Sequence, residues 1–128
     1  MREILFRGKR TDNSEWVEGD IIHKCEYRLI GQFNDFSEYK SSLVIPESVG
    51  QYTGLTDKND KKIFEGDIIR VDDTENAVVD YDETSAFYMA VFNQAESDFG
   101  SLIAQYPNVE VIGNVFDNPE LLKSNNES

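Results

Sequence analysis

Two residue pairs in this chain have the types and spacing to do chemistry. Asp20 and Asp67 each close a Glu-Gly-Asp triplet that occurs twice. Two carboxylates brought together can divide acid and base roles, because neighbouring like charges push their pKa values apart. His23 and Cys25, the sole residues of their kinds, stand at i, i+2. On a strand that spacing puts both on one face, imidazole beside thiol, as nucleophilic catalysis requires. Neither pair is accompanied by a third group that would orient a base. The plainer expectation is that each Asp accepts backbone hydrogen bonds at a bulge or turn, and that Cys25 packs beside an exposed His23. For metals, Asp57-Lys58-Asn59-Asp60 begins like a calcium loop, but Lys62 stands where position six needs Gly and Ile68 where position twelve needs Glu. The acids Asp72, Asp73 and Glu75, or Asp80, Asp82 and Glu83, offer at most weak cation contacts, and solvated turns explain them equally well. No phosphate-binding glycine loop, serine elbow or zinc spacing is present. No catalytic residue, metal or cofactor is therefore expected.

The elements that must position these residues are strands. Ile63-Phe64-Glu65-Gly66-Asp67-Ile68-Ile69 restates Trp16-Val17-Glu18-Gly19-Asp20-Ile21-Ile22, and each copy is preceded by a Gly five residues before an Asn (Gly8 and Asn13; Gly54 and Asn59). This reads as one unit used twice, a polar turn followed by a strand that Gly19 or Gly66 bulges or brings close to a neighbouring backbone. Gly19, Asp20, Gly66 and Asp67 are thus expected to be a structural motif. Elsewhere, Ile4–Phe6, Tyr27–Phe33 and Leu43–Ile45 read as strands. Ala77 to Phe92 reads as a hairpin broken at Asp82-Glu83-Thr84-Ser85, and Val109–Phe116 as a closing strand. Gln94–Tyr106 has room for one or two helical turns. Asn118-Pro119-Glu120 signals a short C-terminal helix with an Asn cap.

At 128 residues the chain is one domain's worth, divisible into two subdomains. Its net charge of −13 is unevenly spread. Residues 1–64 carry 11 acids and 10 bases, whereas residues 65–128 carry 14 acids and 2 bases, with no Lys or Arg between Arg70 and Lys123. That half is unsuited to binding a phosphate backbone. Asp72, Asp73, Glu75, Asp80, Asp82 and Glu83 form a candidate interaction surface for a basic protein partner, including the base-containing half of another copy, or for mimicry of nucleic-acid charge. Arg7, Lys9 and Arg10, near Phe6 and Trp16, make a weak case for nucleic acid on so acidic a chain and a better one for a neighbouring subunit's acids. One cysteine rules out an intramolecular disulfide. The N-terminus has no signal-peptide pattern and no apolar run is long enough to span a bilayer, so a cytoplasmic protein is expected.

Several runs carry a family resemblance. They are Phe6-Arg7-Gly8-Lys9 with Trp16-Val17-Glu18-Gly19-Asp20, and Val49-Gly50-Gln51-Tyr52-Thr53-Gly54-Leu55 through Lys62–Ile69. Val78-Val79-Asp80-Tyr81-Asp82 and Glu110 through Leu122 complete the set. In these the chain resembles the YopX family of phage and prophage proteins. Ser14 and Asp60 stand where the family turn has Gly after the Asn, which makes tight turns less comfortable there. The resemblance implies a mostly β architecture with a small src-homology-3-like barrel and a tendency to self-associate; it brings no activity and no catalytic residues. The expected organisation is mainly β with minor α. Residues 1–50 form an N-terminal β subdomain used in self-association, 51–122 a C-terminal small barrel, and 123–128 a frayed tail. The expected function is non-enzymatic binding by a homo-oligomer. The alternatives are an acidic DNA mimic that inhibits a host nucleic-acid enzyme, and an enzyme using Asp20 and Asp67.

Overall fold

A computed structural model describes residues 3–71, 75–84, 86–92, 96–105 and 107–122. The chain divides into two compact units, 1–54 and 55–128.

The first unit is an antiparallel sheet in the order β4-β3-β2-β1-β5. Its strands are β1 (Phe6–Lys9), β2 (Trp16–Lys24), β3 (Tyr27–Phe33), β4 (Tyr39–Val44) and β5 (Gly50–Thr56), the last running on past Gly54. Sequential strands are joined by tight turns whose chemistry is visible in the residues. Ser14 at φ 62° and Cys25 at φ 54° take the left-handed conformation that closes the β1–β2 and β2–β3 connections. In the β3–β4 loop, the Asn34 side-chain oxygen accepts the amides of Phe36 and Glu38 (2.9 and 3.0 Å), a side chain standing in for a backbone turn. Side chains alternate across the sheet. Ile30 and Val44, each 1% exposed, mark its inner face. Gly8 lies against Val44, so that a Cβ there would approach the valine side chain to 2.9 Å. The ends of β1 and β4 draw together: Arg10 bridges Val44, Thr11 N–H donates to Leu43 O (3.1 Å), and Ile45 N–H donates to Lys9 O (2.9 Å).

The second unit holds β6 (Lys62–Phe64) and a five-stranded antiparallel sheet, order β10-β9-β8-β7-β11. The strands of that sheet are β7 (Asp67–Val71), β8 (Glu75–Asp82), β9 (Phe87–Val91), β10 (Glu96–Asp98) and β11 (Glu110–Asn114), with helix α1 (Phe99–Gln105) after β10. Its core is a single cluster of Ile63, Ile69, Val71, Ala77, Val79, Ala90, Phe99, Leu102 and Val109. Ala77 and Val79 lie at alternate positions of β8, opposite Ile69 of β7 and Ala90 of β9 respectively, which makes this the inner face. Helix α1 packs there through Phe99 and Leu102 at i, i+3. Asp98 starts the helix by accepting Gly100 N–H (3.3 Å) and the Ser101 hydroxyl (2.8 Å). A short 3₁₀ turn, Pro119–Leu122, folds back so that Leu121 O accepts the Asn76 side-chain amide (2.9 Å).

The mainly β reading holds, and the described residues do not show the closure of its barrel. Among the described residues of the C-terminal sheet, edge strands β10 and β11 are not partners of each other, and α1 packs into the core through Phe99 and Leu102. The C-terminal helix is a 3₁₀ turn without the expected cap, because the Asn118 side-chain oxygen accepts Asn114 N–H (3.3 Å) rather than an amide of its own turn. Strands β4 (four residues longer at its start than read from sequence) and β10 add edges that alternation did not reveal.

The repeated segment is not a repeated structure. In the first copy β2 runs uninterrupted through Glu18-Gly19-Asp20, and Gly19 is required because a Cβ would overlap the Gly31 carbonyl of β3. In the second copy Glu65-Gly66 is a turn between β6 and β7, with Gly66 at φ 92°. One glycine answers to close approach and the other to handedness.

Candidate binding surfaces

The residues singled out by type are each placed within their own unit. Asp67 is 1% exposed and accepts Phe64 N–H (2.8 Å), closing the Glu65-Gly66 turn. Asp20 belongs to the other unit, is exposed, and accepts the Tyr39 hydroxyl (3.4 Å). Burial and the Asp20 charge push the Tyr39 phenol above its ordinary pKa. His23 lies in β2, but Cys25 sits in the following turn at positive φ, which takes it out of strand alternation with His23. No cluster of three or more metal-ligating side chains occurs among the described residues. The aborted calcium loop is a turn built on Asp57, whose Oδ1 accepts Asn59 N–H and Lys61 N–H (2.8 and 2.9 Å) and whose Oδ2 accepts Val111 N–H (2.9 Å). Burial is the largest single influence on this carboxyl and pushes it up. The three amides and the Lys61 charge outweigh it, holding Asp57 below the usual carboxylate range.

The basic cluster is engaged within its own unit. The Arg7 guanidinium lies 4.9 Å over the Trp16 ring. The Lys9 backbone N–H, not its ammonium, donates to Ser48 Oγ (2.8 Å). Arg10 grips Asp12 with two bonds of 3.0 and 2.7 Å, which raise the arginine and lower the aspartate.

Of the acidic candidates, Asp72 and Asp73 lie outside the described residues. Glu75, Asp80 and Glu83 are exposed and Asp82 is half-buried. They do not form one row. Glu75 has the strand parity of Ala77 and Val79, whereas Asp80 and Asp82 fall on the opposite face of β8. Two of them also serve local backbone, with Tyr81 N–H donating to Asp80 (2.9 Å) and Thr84 N–H to Asp82 (3.1 Å).

A different surface went unread in the sequence. The outer face of β2, β3 and β4 carries Ile22, Leu29 and Leu43 as a row across three strands, since Ile22 is opposite Leu29 and Leu29 opposite Leu43. Beside this row lie Lys24 and Tyr27 on one side and Asp20, Gly31 and Ser41 on the other, with Phe33 and Tyr39 beyond. Gly31 matters to that layout: a Cβ there would overlap the Tyr39 ring, which crosses the glycine to reach Asp20. The Phe33 and Tyr39 rings meet edge to face at 5.0 Å. Ile22 and Leu29 are half-buried, whereas Leu43 is 41% exposed, Tyr27 53%, Phe33 69%, and Phe36 at the hairpin tip 83%. Singly exposed apolar residues are ordinary, but an exposed apolar group gathered on one sheet face marks an interaction surface. The available signal was the odd-numbered series Tyr27, Leu29, Gly31 and Phe33, whose partner series on β4 is hidden among serines and a lysine.

The fold and surfaces together describe a two-unit, mainly β protein whose prominent feature is an exposed apolar sheet face. Residues 5–123 match the family model described as YopX protein, and the chain belongs to that family. No curated protein matches the chain. No helix among the described residues is long and apolar enough to cross a membrane.

Proposed function

We propose that this chain is a non-enzymatic binding protein that works as a homo-oligomer in the cytoplasm of a bacterium carrying the phage or prophage that encodes it. The observation that carries this reading is the exposed apolar face of β2–β4, in a unit with 9 acids and 7 bases, while residues 55–128 hold 16 acids and 5 bases. Copies of net charge −13 repel one another, so association is favoured through the region where charge is nearly balanced. The reactive side chains picked out by type are instead occupied locally: Asp67 and Asp57 hold backbone amides, and Asp20 holds a tyrosine hydroxyl. The acids of the second unit, including Glu75, Asp80, Asp82 and Glu83, suit a basic protein partner and disfavour direct nucleic-acid binding. Light scattering coupled to gel filtration, with native mass spectrometry, tests the assembly. A mass above one chain at tens of micromolar is expected, and a strict monomer at high micromolar concentration would refute it.

A further inference from the structure

We infer that the occupant of the β2–β3–β4 face is the same face of a second copy, packed about a two-fold axis that runs along the Ile22–Leu29–Leu43 row. This rests on the homo-oligomer reading and names its interface. The argument is one of self-complementarity. A two-fold interface requires that if residue i meets residue j of the partner, then j meets i. Along β2 the outward side chains are Asp20, Ile22 and Lys24, at alternate positions. Cross-strand pairing extends the middle position into an apolar row, Ile22–Leu29–Leu43. A two-fold axis lying in the interface along that row reverses the strand direction of the partner. Ile22, Leu29 and Leu43 then meet their own counterparts, Asp20 of each copy meets Lys24 of the other, and Lys24 meets Asp20. One operation pairs the apolar groups and matches the opposite charges, which an arbitrary arrangement of these residues would not do.

Three further observations fit the same occupant. The face belongs to the unit whose charge is nearly balanced, so two copies meeting there bring only about −2 each from residues 1–54. Sheets that pack face to face stand roughly 10 Å apart, a gap that leucine, isoleucine and tyrosine side chains from both sides fill. Tyr39 is folded down across Gly31 onto Asp20, which keeps this aromatic ring low on the face instead of projecting where it would hold a second sheet away.

The test uses the full chain and charge exchange. Lys24→Asp and Asp20→Lys are made singly and together, with Leu43→Glu as an independent disruption of the row; all alter exposed side chains. Masses are measured by light scattering across a concentration series, and far-UV circular dichroism melts check folding. The single charge variants place like charges opposite each other and are expected to weaken association at least tenfold, as is Leu43→Glu. The double variant restores opposite charges across the axis and is expected to recover most of the wild-type association. A folding defect would not be repaired by combining the two changes. If the wild type associates but the single variants associate as well as it does, the interface lies elsewhere and this inference falls while the homo-oligomer reading stands. A double variant no better than the singles overturns the two-fold arrangement. A monomeric wild type overturns both.

Discussion

Replacing Asp57 by alanine removes one small side chain and leaves three backbone amides without their acceptor. Asn59 and Lys61 N–H donate to Oδ1 and Val111 N–H to Oδ2, all within 2.9 Å, and the carboxylate is 6% exposed. A hydrogen bond to a charged group contributes about 1.5–3 kcal/mol, and a buried donor left unmatched costs about 1–3 kcal/mol. The three bonds share one group and are not additive, so the expected loss for Asp57→Ala is about 3–5 kcal/mol. That is a large part of the roughly 5–15 kcal/mol that keeps a domain folded. Asp57→Asn is the informative companion. Its carbonyl oxygen can still accept from Asn59 and Lys61, but its amide nitrogen then faces Val111 N–H, donor against donor, for a cost of about 2–3 kcal/mol. The pH dependence follows from the lowered pKa. A carboxyl that is more acidic folded than unfolded adds stability that is fully present above its unfolded pKa of about 3.9, and loses it as pH falls through the folded value. Urea unfolding followed by circular dichroism should therefore show a wide gap between wild type and variant at pH 7 and a narrower one below about pH 4. Hydrogen exchange at Val111, Lys61 and Asn59 should speed up in the variants. A loss under 0.5 kcal/mol at pH 7, or a gap that widens in acid, would refute the assignment of Asp57 as the clamp between its turn and β11.

Three further outcomes follow from packing and backbone. Gly19→Ala drives a methyl into the Gly31 carbonyl and should destabilise the first unit by about 3 kcal/mol, seen as an earlier transition in the fluorescence of Trp16. Gly54→Ala meets nothing within 4 Å but must hold φ 92°; its cost is conformational, about 1–2 kcal/mol by thermal melting. Phe99→Ala empties the centre of the second unit's core, where Phe99 is 1% exposed, and should cost about 3–5 kcal/mol in a urea titration.

What the sequence revealed depended on whether a short stretch sufficed to decide it. The β8–β9 hairpin, the strand through Tyr27–Phe33 and the β11 strand were legible because period-two alternation and turn residues act within a few positions. The YopX relationship was legible for the same reason, from runs spread over the chain, and the family match over residues 5–123 bears it out. Contacts between distant residues decided the rest. Asp57 serves Val111, 54 positions away, and its turn looked like nothing more than a failed cation loop. The outer face of β2–β4 depends on the register that sets Ile22 against Leu29 and Leu29 against Leu43, which no single strand displays. Strand β4 was largely missed because Tyr39-Lys40-Ser41-Ser42 reads as a polar loop until its pairing with β3 is known. Barrel closure, which the described residues do not show, was not legible because a resemblance in motifs does not specify how edge strands close.

The twin Glu-Gly-Asp segments have a consequence for how this chain tolerates recombination. Exchanging Trp16–Ile22 with Ile63–Ile69 preserves length and most of the chemistry, and an alignment would score it as harmless. The exchanged pieces would nonetheless have to trade shapes, a straight strand for a corner with Gly66 at φ 92°. Local composition is a common currency between the two places, but conformation is dictated by what each segment is laid against. Such a chain is expected to be less soluble than the parent, and sequence similarity within one polypeptide is here no licence for interchange.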